Sequence, residues 1–211
     1  MNANEPLNFQ HGESEYNVFG KVGGNADLSP RGQMYAECLA EYVNRTIGQS
    51  PNFRLWTSCL KRTIQTAKDV KAPKEHLATL NELDTGVCDG LTYEEIAERY
   101  PAEFAARDND KFHYRYPKGE SYSDLLNRVQ PVLERLKNEN GVMVVSHQAV
   151  LRCIIGALLN KDKQELPYIN APLHTIMKLS FTSNGINLDL IPLSIECVDT
   201  HRAKPQVRAV A

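Results

Sequence analysis

Apolar positions along the chain follow two periods, one helical and one of strands. Ser29-Pro30 sets an N-cap with proline at the first helical position, and Met34, Cys38 and Tyr42 recur at helical spacing with Leu39 and Val43 beside them. This predicts a helix to about Val43. Phe53 to Thr57 is a short β-rich run, and Lys61 to Val70 lacks glycine and proline, so a strand and then a helix are expected. Thr92-Tyr93-Glu94-Glu95 forms a capping box for a short helix that stops before Pro101. Leu125, Leu126, Val129, Val132, Leu133 and Leu136 mark one apolar stripe, with a kink expected at Pro131. Val142 to Ser146 is a continuous β-branched apolar run, the pattern of a strand buried on both faces of a parallel sheet. It leads into a helical segment from Gln148, which places His147 at a helix N-terminus. Thr175 to Phe181 and Ile186 to Ile191 flank Asn184-Gly185 and read as a hairpin. Together these elements predict a three-layer α/β domain with a mixed sheet, ending in a frayed, mildly basic tail from Thr200.

Length and composition narrow the class. At about 150 residues per domain, 211 residues imply one domain with ornaments. With 42% hydrophobic and 24% charged residues, disorder, collagen and coiled coil are excluded as global descriptions. The balance of 24 Lys+Arg against 26 Asp+Glu gives a net charge of −2, so nothing global recruits nucleic acid or an anionic membrane, and any anion site must be a local cluster. Five cysteines with no CxxC pair read as buried free thiols in a reducing compartment. The first residues carry no signal-peptide pattern, and Arg152 interrupts the longest apolar stretch, Ala149 to Leu159. A soluble cytoplasmic protein is expected.

Two of the six histidines stand apart. His11 sits in Gln10-His11-Gly12-Glu13-Ser14, where glycine allows close backbone approach to a ligand, and His147 sits where a buried strand meets a helix, a position that favours an anion. For each, a satisfied core histidine is the competing reading. No HExxH, HxH or Cys/His spacing supports a metal site. Lys61 and Arg62 occupy a strand-to-helix junction, and Arg107, Lys111, Arg115 and Lys118 follow, interleaved with Tyr114 and Tyr116. That density suits a phosphorylated sugar, since arginine grips phosphate bidentately. A solvated basic face is the alternative. On pattern alone, Asn81-Glu82-Leu83-Asp84 reads as surface charge.

Taken together, His11-Gly12-Glu13-Ser14, Leu28-Ser29-Pro30-Arg31-Gly32, Thr57-Ser58 through Ala67, Asn81-Glu82-Leu83-Asp84 and Ser146-His147-Gln148 resemble the histidine phosphatase, phosphoglycerate mutase-like superfamily. Val87 to Tyr93, Arg107 to Lys111, Tyr114 to Tyr122 and Leu173-His174-Thr175 look like the fructose-2,6-bisphosphatase domain of the bifunctional 6-phosphofructo-2-kinase enzymes. The resemblance implies an α/β/α sandwich with a mostly parallel central sheet. It also implies attack by His11 on the 2-phosphate of fructose 2,6-bisphosphate, release of fructose 6-phosphate and hydrolysis of the phosphohistidine, without metal or cofactor. Arg62 and His147 match the family's phosphate ligands, and Glu82 matches the general acid. Asn17 and Gly23 match positions lining the same pocket, and Tyr93, Arg107, Lys111, Tyr122, Gln148 and Arg152 match those holding the sugar and its 6-phosphate. His174 is expected behind the pocket, supporting it. The implied partner is a phosphosugar, not nucleic acid or membrane, with a homodimer left open.

Two departures qualify this. The superfamily has arginine before its nucleophile, and here the residue is Gln10. Removing one such preorganised donor typically lowers a rate by about 10²–10³. Upstream, the family has an apolar central strand, whereas Pro6-Leu7-Asn8-Phe9 is short and polar. The first strand is therefore expected to be short or missing, with Leu7 to Gln10 as a stub. The expected organisation is a non-matching leader over 1–10, as from an alternative start or splice product, then a phosphatase domain over 11–198 and a flexible tail over 199–211. No GxxxxGK[ST] loop of a kinase occurs in these residues. An impaired pseudophosphatase that binds phosphosugar or a partner subunit remains the rival reading, and a mutase or broad phosphatase is the third.

Overall fold

The computed structural model describes residues 7–47, 50–182 and 185–204. Its sheet contains β1 (Leu7–Gln10), β2 (Arg54–Thr57), β3 (Lys74–His76), β4 (Val142–Ser146), β5 (Thr175–Thr182) and β6 (Gly185–Pro192) in the order β3-β2-β4-β1-β5-β6. The first four in that order run parallel, and β5 and β6 are antiparallel additions. Asn184 of the expected turn lies outside the described residues, as do 1–6 of the leader and 205–211 of the tail.

The short first strand is present and paired on both sides. Leu7 to Gln10 align with Met143 to Ser146 of β4, and Leu7 to Phe9 align with Lys178 to Ile176 of β5. Four polar-leaning residues suffice because the flanking strands present open ladders whose backbone groups need partners whatever the side chains.

The helices are α1 (Glu15–Val18), α2 (Pro30–Thr46), α3 (Lys61–Thr66), α4 (Tyr93–Arg99), α5 (Pro101–Asn109), α6 (Tyr122–Arg128), α7 (Gln130–Asn138) and α8 (Gln148–Leu158). The pleat sends alternate residues to opposite faces. Val142 and Val144 of β4 and Trp56 of β2 pack with Leu125, Val132 and Ile154 from α6, α7 and α8. Met143, Val145 and Leu55 pack on the other face against Tyr35, Leu39 and Val43 of α2. Three layers result.

Several expectations are corrected. On α2 the buried row is Tyr35, Leu39 and Val43, while Met34 is 53% exposed and Cys38 is also exposed. Two adjacent apolar rows run down this helix, and periodicity cannot rank them. α3 ends at Thr66, short of Val70. The expected kink at Pro131 is a break: Val129 closes α6 and opens α7, with Pro131 in the first turn of α7. There its missing N–H leaves no bond unmade, whereas a continuous helix would set its ring against a carbonyl one turn back. Of the five cysteines, Cys88 and Cys153 are buried, but Cys38 and Cys59 are exposed and Cys197 is half-buried.

Candidate functional site

The site gathers at the carboxyl ends of β1, β2 and β4. Because β1 and β4 run parallel in register, the residues following them emerge side by side, and the His11 amide donates to the Ser146 carbonyl (3.0 Å). The rings of His11 and His147 are 5.1 Å apart. β2 lies on the other side of β4 and delivers Ser58 and, one helical turn later, Arg62.

Hydrogen bonding fixes the His11 tautomer. His11 Nδ1 lies 2.7 Å from the Gly12 carbonyl, which can only accept, so Nδ1 carries the hydrogen. Nε2 is then the bare nitrogen, and Arg62 Nε donates to it at 3.0 Å. Burial and, next, the Arg62 charge hold His11 well below the ordinary histidine pKa, so the ring is neutral. His147 is fully buried and also held well below its ordinary value, by burial and then by Arg62. Its Nε2 is 2.7 Å from Ser58 Oγ, which also lies 2.7 Å from Thr63 Oγ1 and accepts from the Leu60 amide (3.1 Å). His147 Nδ1 is a buried atom with no protein partner. Gln10, 2% exposed, likewise has a buried Oε1 without a partner.

Arg62 also donates through Nη1 to the Gly24 carbonyl (2.7 Å), clamping the loop that carries Gly23. Gly23 has φ +71°, and a Cβ there would lie 1.9 Å from Asp89 Oδ1. Gly12 serves a purpose other than the one expected: a Cβ would stand 2.6 Å from the Gly32 carbonyl, so this glycine admits the start of α2 rather than a ligand. Asn17 caps α1, its Oδ1 accepting from the Ser14 amide (2.9 Å). His174 stands behind the loop: the Glu13 amide donates to its Nε2 (3.0 Å), and its ring stacks on Tyr35.

These residues open onto a cavity of ≈ 550 Å³. His11, Asn17, Gly23, Arg62, Glu82, Tyr93, Arg107, Lys111, Tyr122, Gln148 and Arg152 all line it; His147 stands behind them against Ser58. Glu82 is half-buried, its Oε1 accepts from the Leu83 amide (2.9 Å), and burial raises its pKa although Arg62 and Arg152 pull the other way. Elsewhere on the wall, Arg107 donates to the phenol oxygens of Tyr116 (2.8 Å) and Tyr93 (3.1 Å). Lys111 donates to the Pro167 carbonyl (3.1 Å), and Arg152 to the Ile169 carbonyl (2.8 Å) and the Tyr122 hydroxyl (3.3 Å). Burial and then the charges of Arg107, Arg152 and Arg202 push Lys111 down to about 6.

The remaining expected cations point elsewhere. Lys61 is exposed and paired with Asp27, Arg115 pairs with Asp124, and Lys118 lies outside the wall. In their place the wall includes Lys21 and Arg202, neither of which was singled out in the sequence. Six basic side chains, Lys21, Arg62, Arg107, Lys111, Arg152 and Arg202, face three acidic ones, Glu82, Glu94 and Asp199, so a protein of net negative charge holds a net positive cavity. Among the described residues no group of three or more His, Cys, Asp or Glu could hold a metal ion, and no helix is long and apolar enough to cross a membrane.

Comparison with known proteins agrees with this geometry. Residues 9–193 match the model of the histidine phosphatase superfamily (branch 1). The chain is 50% identical over 198 residues to a 6-phosphofructo-2-kinase/fructose-2,6-bisphosphatase of Gallus gallus, covering 93% of this chain and 42% of the relative. It is 50% identical over 197 residues to 6-phosphofructo-2-kinase/fructose-2,6-bisphosphatase 1 of Homo sapiens, covering 93% and 41%. The chain thus spans about two fifths of the length of these relatives. Among solved structures, the α-ribazole phosphatase of Shigella flexneri superposes with a TM-score of 0.78 at 22% identity, over 92% of this chain and 99% of that one. A mycobacterial glucosyl-3-phosphoglycerate phosphatase gives 0.74 at 22%, over 89% and 97%. At such identity these two show the fold.

Proposed function

The chain belongs to the histidine phosphatase superfamily, and from that membership we propose that it hydrolyses the 2-phosphate of fructose 2,6-bisphosphate to fructose 6-phosphate and inorganic phosphate. The observation that carries the reading is the pairing, in one cavity, of a neutral histidine with a bare Nε2 and a second, separate group of cations.

On this reading His11 Nε2 attacks phosphorus while the bond to the sugar O2 breaks. Glu82, kept protonated more readily than an exposed carboxyl, gives its hydrogen to the departing oxygen. The transition state spreads negative charge over the equatorial oxygens, and Arg62, which lets go of Nε2, meets it together with the Gln10 amide and with His147, whose unpartnered Nδ1 donates in the Nδ1–H tautomer. In the second step Glu82, now a carboxylate, takes a proton from water as the water oxygen attacks the phosphohistidine and the P–N bond breaks. Asn17 and Gly23 shape the loop beside the reacting phosphate. Tyr93, Arg107, Lys111, Tyr122, Gln148 and Arg152 hold the sugar and its 6-phosphate, so binding energy remote from the chemistry orients the reacting bond. The phosphatase unit is assigned to residues 11–198.

Steady-state release of inorganic phosphate and fructose 6-phosphate in equal amounts from fructose 2,6-bisphosphate tests the reading; failure to turn over that compound while hydrolysing simpler phosphomonoesters would contradict it. A second reading, phosphosugar binding with little turnover, is favoured by Gln10, whose neutral amide supplies one weaker donor where the family has a cation, and whose buried Oε1 has no partner.

A further inference from the structure

The residues just before the end of the described chain do not hang free. The Val198 amide donates to Glu13 Oε2 (2.9 Å), a buried carboxylate already held by Ser29 Oγ (2.6 Å) and by Arg31. Two residues on, Gln148 Nε2 donates to Thr200 Oγ1 (2.9 Å) and lies 3.4 Å from its carbonyl, while the His201 amide donates to Asp199 Oδ1 (2.7 Å). This strap is therefore tied at one point to the loop that carries His11 and at another to α8. Asp199 to Arg202 line the cavity.

We propose that Arg202 is a substrate-binding residue: carried by the strap, its guanidinium completes with Arg107, Lys111 and Arg152 the site for the sugar phosphate that does not react, and so determines selectivity for doubly phosphorylated sugars. The inference rests on the phosphosugar reading above. The Arg202 guanidinium carbon stands 4.6 Å from the Tyr93 ring centre and 5.0 Å from that of Phe104, so two rings fix its plane. Arg107 lies 4.8 Å from the same Tyr93 ring. The nearest carboxylate, Asp108, is shared: Oδ2 is 3.5 Å from Arg202, and Oδ1 is 3.1 Å from Arg107. One carboxylate between two guanidiniums, with a third guanidinium and the Lys111 amine beside them, leaves positive charge uncompensated even with Glu94 at the rim. A phosphate dianion supplies what is missing, and planar arginine forks grip it bidentately. The lowered proton affinity of Lys111, to which Arg202 contributes, is independent support that these charges feel one another. Arg202 neighbours Arg107 and Tyr93 rather than His11 and Arg62, which assigns it to the phosphate that stays on the sugar.

The test compares the wild type with Arg202→Gln and Arg202→Lys in two measurements: calorimetric titration with fructose 6-phosphate, and kcat/KM for fructose 2,6-bisphosphate relative to p-nitrophenyl phosphate, which has no second phosphate. Losing a charge-assisted contact of about 1.5–3 kcal/mol weakens fructose 6-phosphate binding by about 10- to 100-fold in Arg202→Gln. Arg202→Lys falls between, and the ratio of the two kcat/KM values drops by a similar factor, mainly through KM for the bisphosphate. If Arg202→Gln does not fold, Arg202→Lys decides: affinity equal to wild type overturns the proposal. Unchanged fructose 6-phosphate affinity in Arg202→Gln overturns it, as does an equal loss on both substrates, which indicates a structural role. Faster turnover in Arg202→Gln also overturns it, because the strap then obstructs rather than binds. If the wild type fails to hydrolyse the bisphosphate while fructose 6-phosphate affinity still depends on Arg202, the reaction assigned above is wrong and Arg202 stands as a phosphosugar ligand.

Discussion

The two groups of residues that face the cavity hold themselves differently. Around His11 most polar groups have a protein partner, Gln10 Oε1 and His147 Nδ1 excepted: Nδ1 of His11 has the Gly12 carbonyl, Nε2 has Arg62, Glu13 has Ser29 and Arg31, and His174 has the Glu13 amide. Around Lys111, like charges crowd together, held mainly by phenols and carbonyls, with one carboxylate, Asp108, shared between Arg107 and Arg202. The first group is preorganised, with the His11 tautomer fixed before any ligand arrives. The second is electrostatically unfinished until an anion enters. A site that needs exact positioning for bond making is built from hydrogen bonds, and a site that needs binding energy is built from crowded like charge with too few counter-charges.

This contrast can be broken most sharply at Glu82. If proton donation to the departing oxygen belongs to the preorganised group, Glu82→Gln lowers kcat for fructose 2,6-bisphosphate by about 10²–10⁴ while leaving fructose 6-phosphate affinity within a few fold. A loss in affinity without a loss in kcat would move Glu82 into the binding group. Next in size is Gln10→Arg, which supplies a cation where His11 has only an amide. Restoring one donor to the developing charge raises kcat by about 10²–10³. An unchanged or lower rate would show that position 10 is not the limiting feature.

Lys111 tests the other side. At pH 7 a lysine pushed down to about 6 is mostly neutral, and a phosphate dianion draws a proton onto it. Fructose 6-phosphate binding should take up a fraction of one proton, read from the dependence of the calorimetric enthalpy on buffer ionisation, and Lys111→Met should remove that uptake. Buffer-independent enthalpy in the wild type would contradict the picture of crowded cations.

The smallest effect is on stability. His11, His147 and His174 all have pKa values lowered first of all by burial, against 6.5 in the unfolded chain. Below pH 6.5 the unfolded chain takes up protons that these folded histidines refuse, so the stability present above pH 6.5 is lost on acidification. The slope is at most about 1.4 kcal/mol per pH unit for each histidine. Denaturant midpoints measured between pH 7.5 and 5.5 should fall accordingly, and a flat profile would mean that these rings accept protons in place.

What was legible in the sequence follows the same physics. β4 was plain because a strand buried on both faces must be apolar throughout, and the Thr92 cap was plain because its two hydrogen bonds need Thr and Glu three residues apart. β1 was hard to read because it is held by backbone pairing, which side chains do not report. α5 went unanticipated because Pro101, read as a stop, also starts a helix. The charges of Lys61, Arg115 and Lys118 look like those of Arg107 and Lys111 in the sequence, and only tertiary placement separates cations outside the cavity from cations crowded within it. Arg202 carried no local signal at all, since its position depends on Glu13 and Gln148, far away in the chain.

In the proposed reaction His11 carries the phosphoryl group. Fructose 2,6-bisphosphate labelled at the 2-phosphate, mixed with the full chain and quenched within a turnover, should leave acid-labile, alkali-stable label on His11, and His11→Asn should leave none. A wild-type protein that releases phosphate without ever labelling His11, or a His11→Asn variant that labels equally, would contradict the account.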